Sequence, residues 1–102
     1  MIYVIATIEV IQGKRESFLD EFRKIVPTVR NEKGCLEYSP TIDVGTNISA
    51  QGEVRDSTVT VVETWESVEA LEDHIMAPHM LEYRSKVKDM VVSTRLQVLQ
   101  PA

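Results

Sequence analysis

Glu63 and Trp65 stand two residues apart in a segment rich in β-branched residues, 57–66. In a strand that spacing puts both side chains on one face. An acid on an otherwise apolar strand face is costly to bury alone. Glu63 is therefore half-exposed, paired with a base, or a pocket carboxylate held above its usual pKa. Trp65, the only Trp, either fills the gap where strand and helix meet or walls a ligand pocket. His74 and His79 are the only histidines and lie five apart across Pro78. They either anchor a helix break or face a pocket, where a neutral imidazole moves protons near pH 7. A zinc pair on a regular helix uses the i+3 or i+4 spacing, so five residues serve only if the break corrects it. No third ligand is obvious, although Glu63, Glu72, Asp73 and Glu82 are at hand, and no metal is expected. Tyr38 and Tyr83 each combine an apolar ring with a hydroxyl; core packing is the default for Tyr83. Cys35 reads as a small buried thiol. Nothing resembles a Cys–His nucleophile pair, a Ser triad motif or a phosphate-binding glycine loop.

The elements that position these residues follow from periodicity. Residues 2–11 are β-branched and aromatic without Gly or Pro, which predicts a strand with Ile2, Val4, Ala6, Ile8 and Val10 on one face. In 14–31, Phe18, Phe22, Ile25, Val26 and Val29 form a stripe at the helical period, with a bend or break expected at Pro27. Residues 35–43 read as a second strand with Leu36, Tyr38, Pro40 and Ile42 on one face. Pro40 argues against a central position in the sheet. A long loop, 44–56, precedes the third strand, 57–66, which carries Val59, Val61, Glu63 and Trp65 inward. Ser67 is a suitable N-cap, and Val68, Leu71 and Ile75 form the inner face of the next helix. Pro78 opens a further helix bearing Met80, Tyr83, Val87 and Met90. Residues 91–99 supply the last strand. The order β-α-β-β-α-β is the ferredoxin-like α+β arrangement, one antiparallel four-stranded sheet with helices on one face. The uncovered face carries Tyr3, Ile5, Thr60, Val62 and Thr64. Packing it against a second copy predicts a homodimer.

Composition bounds the rest. A chain of 102 residues and 11.6 kDa, 43% hydrophobic and 26% charged, fits one globular domain over 1–102. Eleven Lys and Arg against 16 Asp and Glu leave a net charge of −5. Nucleic acid and anionic membrane are thereby disfavoured as partners. No apolar run approaches the length of a membrane span, and the N-terminus lacks a secretory pattern. The single Cys forms no internal disulfide, which suits a reducing, cytoplasmic setting.

Three segments in order resemble a known family. Glu32-Lys33-Gly34-Cys35-Leu36-Glu37-Tyr38, Glu63-Thr64-Trp65-Glu66-Ser67-Val68-Glu69-Ala70-Leu71 and His74-Ile75-Met76-Ala77-Pro78-His79 are similar to segments of antibiotic biosynthesis monooxygenase (ABM) domains. The resemblance implies a dimeric α+β barrel with a pocket in each subunit between sheet and broken helix. It also implies a cofactor-independent monooxygenase of an aromatic quinol or polyphenol, in which the substrate anion itself activates O₂. By the same likeness Trp65 would line the pocket near the reacting ring. His74 and His79 would bound it and act with Trp65, while Tyr38 and Glu63 would be secondary candidates for contact with substrate. Apart from that likeness, Tyr83 is a further substrate-binding candidate. The 44–56 loop looks longer than in compact relatives and is expected to cover the pocket or reach the neighbouring subunit. Haem-degrading members of the superfamily carry an Asn in the first strand, where this chain has Ala6-Thr7, which argues against haem oxygenation. Two other readings stay open: an isomerase of a small phosphorylated sugar-like ketone, which Arg84 or Arg95 facing the pocket would favour, and a non-catalytic ligand-binding dimer.

Overall fold

The computed structural model describes all 102 residues. The chain runs β1 (Ile2–Val10), α1 (Arg15–Arg30), β2 (Cys35–Thr41), β3 (Thr58–Trp65), α2 (Val68–Met76), α3 (Pro78–Val87) and β4 (Val91–Leu99). The strands form one sheet in the order β2-β3-β1-β4, every pair antiparallel. This is the ferredoxin-like α+β fold. β2 is an edge strand, so Pro40 leaves no central ladder bond unmade.

Alternation along β1 and β3 separates the two faces. Val4, Ala6 and Ile8 pair in register with Glu63, Val61 and Val59, and all six are buried under the helices. α1 supplies Phe18, Leu19, Phe22, Val26 and Val29 to that layer. Pro27 does not break α1, which continues to Arg30. The ring sits on the exposed side of the helix. There the carbonyl of Arg23, deprived of its usual bond, is open to water. β2 departs from simple alternation. Its register slips between Cys35 and Glu37, so Cys35 pairs with Trp65, and Leu36 is turned out to solvent. Tyr38 is the residue of this strand that enters the core; Ile42 lies beyond its end and is exposed. In α2 the inner residues are Leu71 and His74, with Ile75 half-buried and Val68 pointing outward. Ser67 Oγ accepts the Ala70 N–H at 3.1 Å, as its N-cap position requires.

Gly34 joins α1 to β2 with φ +85°. An added Cβ there would stand 2.6 Å from the Ala70 Cβ. The close approach lets the Gly34 carbonyl accept the Glu66 N–H at 2.8 Å, tying the turn after α1 to the start of α2. Gly34→Ala is therefore expected to cost about 2 kcal/mol from backbone strain, with the clash adding to it. A urea titration that finds the variant as stable as the parent would contradict this.

β4 is unlike the other strands. It pairs only with β1, and its residues after Val91 are all exposed. The helices lie over β1, β2 and β3 and leave the inner side of β4 open. That uncovered strip borders the cavity described next. No helix of the chain is long and apolar enough to cross a membrane.

Candidate active site

A cavity of about 380 Å³ opens between the sheet and the broken helix α2–α3. Ala6, Ile8, Val61 and Leu96 form its floor, and Phe22, Leu71, Met80 and Val87 are among its walls. Twelve of its 17 lining residues are hydrophobic, as expected of a small-molecule site. The polar side chains that reach it include Glu63, His74, Tyr38 and Tyr83.

Glu63 comes from the inner face of β3 and is buried. Its Oε1 accepts the indole N–H of Trp65 at 2.9 Å. Its second oxygen has no partner in the protein yet is not sealed from solvent, so it is free for a ligand. Burial pushes this carboxyl up from 4.5 to about 7; the Trp65 hydrogen bond opposes the rise and the charge of Glu32 adds to it. A carboxyl poised there exchanges protons readily at neutral pH.

His74 lies in the last turn of α2 with its ring among aromatics. The ring centroid is 4.7 Å from that of Trp65 and 5.3 Å from that of Tyr38. Its Nδ1–H donates to Glu32 Oε2 at 2.8 Å. A carboxylate oxygen only accepts, so this bond places the hydrogen on Nδ1 and leaves a lone pair on Nε2. Nε2 has no protein partner and keeps solvent contact. Burial lowers the pKa of His74, against the pull of Glu32. The ring is thus a neutral acceptor in the cavity wall. Both tyrosines hold their protons more tightly than usual, chiefly through burial. The two rings flank Phe22, Tyr38 stacked on it at 5.5 Å and Tyr83 edge-on at 5.6 Å.

Two of the residues expected at the pocket stand elsewhere. Trp65 is 0% exposed and does not line the cavity. It lies behind the wall, holding Glu63 by a hydrogen bond and His74 by ring contact. β3 ends there, under the α2 cap, so the indole is covered on every side. His79 is also outside the cavity. The break at Ala77 turns it toward a surface groove with Glu21, Lys24, Glu82 and Lys86. Its Nε2–H donates to the same Glu32 oxygen at 2.8 Å. The 44–56 loop contributes nothing to the cavity. It is closed on itself by Arg55, whose guanidinium grips both oxygens of Asp43 at 2.8 and 2.9 Å. That pairing holds the Asp43 carboxyl down at about 2.

Glu32 is the site residue that sequence reasoning passed over. It follows α1 in the tight turn before Gly34, 42 residues from His74. Its place inside the first of the three segments was a signal, but nothing in the local spacing pairs it with either histidine. Of the two arginines that bear on a phosphate site, Arg84 lines the cavity with its Nη2–H donating to the Ile75 carbonyl. Arg95 pairs with Thr7, on the opposite sheet face.

Comparison with known proteins agrees with this architecture. Residues 1–86 match the family model described as antibiotic biosynthesis monooxygenase. The chain is 43% identical to the probable quinol monooxygenase YgiN of Escherichia coli strain K12, over 99% of this chain and 98% of that one. Among solved structures it is similar to PA3566 from Pseudomonas aeruginosa, with a TM-score of 0.81 at 25% identity, covering 99% of this chain and 93% of the other. Rv0793 from Mycobacterium tuberculosis superposes with a TM-score of 0.80 at 22% identity, covering 99% and 94%.

Proposed function

The chain belongs to the antibiotic biosynthesis monooxygenase family, and on that premise we propose that it is a monooxygenase of an aromatic quinol, working without a cofactor. The observation that carries this reading is an apolar cavity lined by Glu63 and His74, each of which keeps one acceptor, the second oxygen of Glu63 and Nε2 of His74, without a partner in the protein. A quinol ring fits the apolar walls, and its hydroxyls would donate to these acceptors. Removing a proton makes the ring a stronger reductant, able to pass electrons to O₂ directly. One oxygen atom then enters the ring at a C–H carbon. The other leaves as water with two hydrogens from the quinol, so a hydroxyquinone is released and no outside reductant is consumed. Exclusion of bulk water would keep the reacting anion from being reprotonated. Tyr38 and Tyr83, protonated throughout the neutral range, would orient the ring by donating hydrogen bonds.

Trp65, His74 and His79 retain proposed roles of different kinds. His74 would accept a proton. Trp65 and His79 would act through others, Trp65 by orienting Glu63 and His79 by holding Glu32. A second copy packed on the open sheet face, around Tyr3, Ile5 and Val62, would complete a homodimer. Tyr3 is 37% exposed there, with Leu99 beside it at 42%.

Oxygen uptake by chelator-stripped protein with a panel of hydroquinones and naphthohydroquinones tests this proposal. Uptake well above the spontaneous rate, with hydroxyquinone formed in equal amount, is expected. Activity that returns only on adding a metal or flavin would overturn the cofactor-free mechanism. Turnover of a phosphorylated ketone under argon would instead favour the isomerase, whose anion Arg84 could meet.

A further inference from the structure

Glu32, His74 and His79 form a second constellation, behind the cavity wall. Glu32 Oε2, His74 Nδ1 and His79 Nε2 all lie within 4.8 Å of one another. The five-residue spacing that fits a regular helix poorly is corrected by the break: α2 ends at Met76, Ala77 is extended, and α3 restarts at Pro78. The turn after α1 brings in the third donor. Two imidazole nitrogens and one carboxylate oxygen are the donor set of many three-ligand zinc centres. Tetrahedral zinc with bonds of about 2.1 Å needs donors about 3.4 Å apart. The two Glu32–His distances of 2.8 Å would have to open by about half an ångström, and the two imidazole nitrogens, within 4.8 Å of each other, would have to close to about 3.4 Å, which rotation of the partly exposed His79 ring can supply. The side chains of Glu32 and His79 remain 14% and 28% exposed, so an ion has an entry path and a water can take the fourth position.

We propose that Glu32, His74 and His79 bind a divalent cation of the zinc class, reversibly and from the surface groove rather than from the cavity. The ion would take the lone pair of His74 Nδ1, the atom that donates to Glu32 in the metal-free protein. In a neutral imidazole the hydrogen must then move to Nε2. Metal on one side of the ring thus converts the other nitrogen, Nε2, from acceptor to donor. On the functional reading above, that would remove a proton acceptor and make zinc an inhibitor. The binding itself does not depend on that reading.

Long-range ¹H–¹⁵N imidazole spectra of the ¹⁵N-labelled full chain, titrated with zinc chloride, test the proposal. Both histidines are expected to shift and saturate at one zinc per chain, with His74 changing from the Nδ1–H to the Nε2–H form. Magnesium at the same concentrations should leave them unmoved, since it prefers an all-oxygen shell. Glu32→Gln and His79→Ala should each weaken zinc binding at least tenfold. Absence of any shift with zinc at millimolar concentration would overturn the site, as would a His79→Ala protein that binds equally well. The parent chain alone decides the first question if a variant fails to fold. Because the readout is spectroscopic, failure here is distinguishable from failure of the quinol reading.

Discussion

Replacing Glu63 by Gln is expected to lower quinol-dependent oxygen uptake by about 100-fold or more, the usual contribution of a positioned acid or base. The substitution keeps the size of the side chain and an acceptor for the Trp65 N–H. It removes the carboxylate proposed to take the substrate proton. In the parent protein the rate should rise with pH through a limb near 7, where burial has placed the carboxyl; in the variant that limb should be gone. Stability should move the other way. The folded-state pKa of Glu63 is raised, so the folded protein holds this proton more tightly than the unfolded chain between about 4.5 and 7. The group thus favours folding at low pH, and that contribution is lost as pH rises through 7. A displacement of this size corresponds to about 3 kcal/mol at pH 8. Glu63→Gln should therefore be more stable than the parent at pH 8, by up to about that amount. Near pH 5 the difference should shrink to about 1 kcal/mol or less. Urea titrations at the two pH values check the sign, and oxygen uptake checks the activity. A variant that loses stability at pH 8 and keeps full turnover would place Glu63 among structural groups.

Trp65 gives the second large effect, and here two substitutions separate packing from positioning. Trp65→Ala removes the largest fully buried side chain in the protein and should cost about 3–5 kcal/mol. A domain of this size has about 5–15 kcal/mol in total, so the variant should lose a large share of its stability and unfold at much lower urea concentration than the parent. Trp65→Phe retains much of the volume but deletes the N–H that Glu63 accepts at 2.9 Å. That hydrogen bond favours the charged carboxylate. Without it the pKa of Glu63 rises further, and the limb of the rate profile moves to higher pH. A folded Trp65→Phe protein with an unmoved limb would limit the indole to packing. A moved limb would show that a residue absent from the cavity lining acts through Glu63.

How far the site could be read in advance is seen in individual residues. Glu63 and Trp65 share a strand face because side chains alternate, and β3 shows that alternation from Val59 to Glu63, while Thr58 and Thr64 at its ends are buried from the other side. The wall positions of Tyr38, Glu63 and Tyr83 follow from inward faces that periodicity already separates, whereas His74 stands beside the stripe of Val68, Leu71 and Ile75 that the period marks out and is turned inward only by the way α2 docks. Trp65 fails as a wall residue for a reason local alternation does not contain. A face is shared along a strand, but whether a given position is capped by a helix or left open depends on where α2 docks. His79 fails for a related reason, since the direction of α3 after Ala77 is set by packing of Met80, Tyr83 and Val87. The slip in β2 is likewise invisible in its alternation, and Leu36, expected inside, is outside.

By itself the sequence determined the order of elements, the inward faces of β1, α1 and β3, the cap at Ser67 and the break at Pro78. Each of these is a local matter of period, rotamer or backbone donor. Only the tertiary structure decided that Glu32 meets two histidines on another pair of helices, and that the inner side of β4 is left open beside a cavity. It also decided that the one indole stands behind the acid rather than in the cavity wall. Those outcomes depend on contacts between residues some 40 positions apart, and no local period encodes the angle at which two elements come to rest.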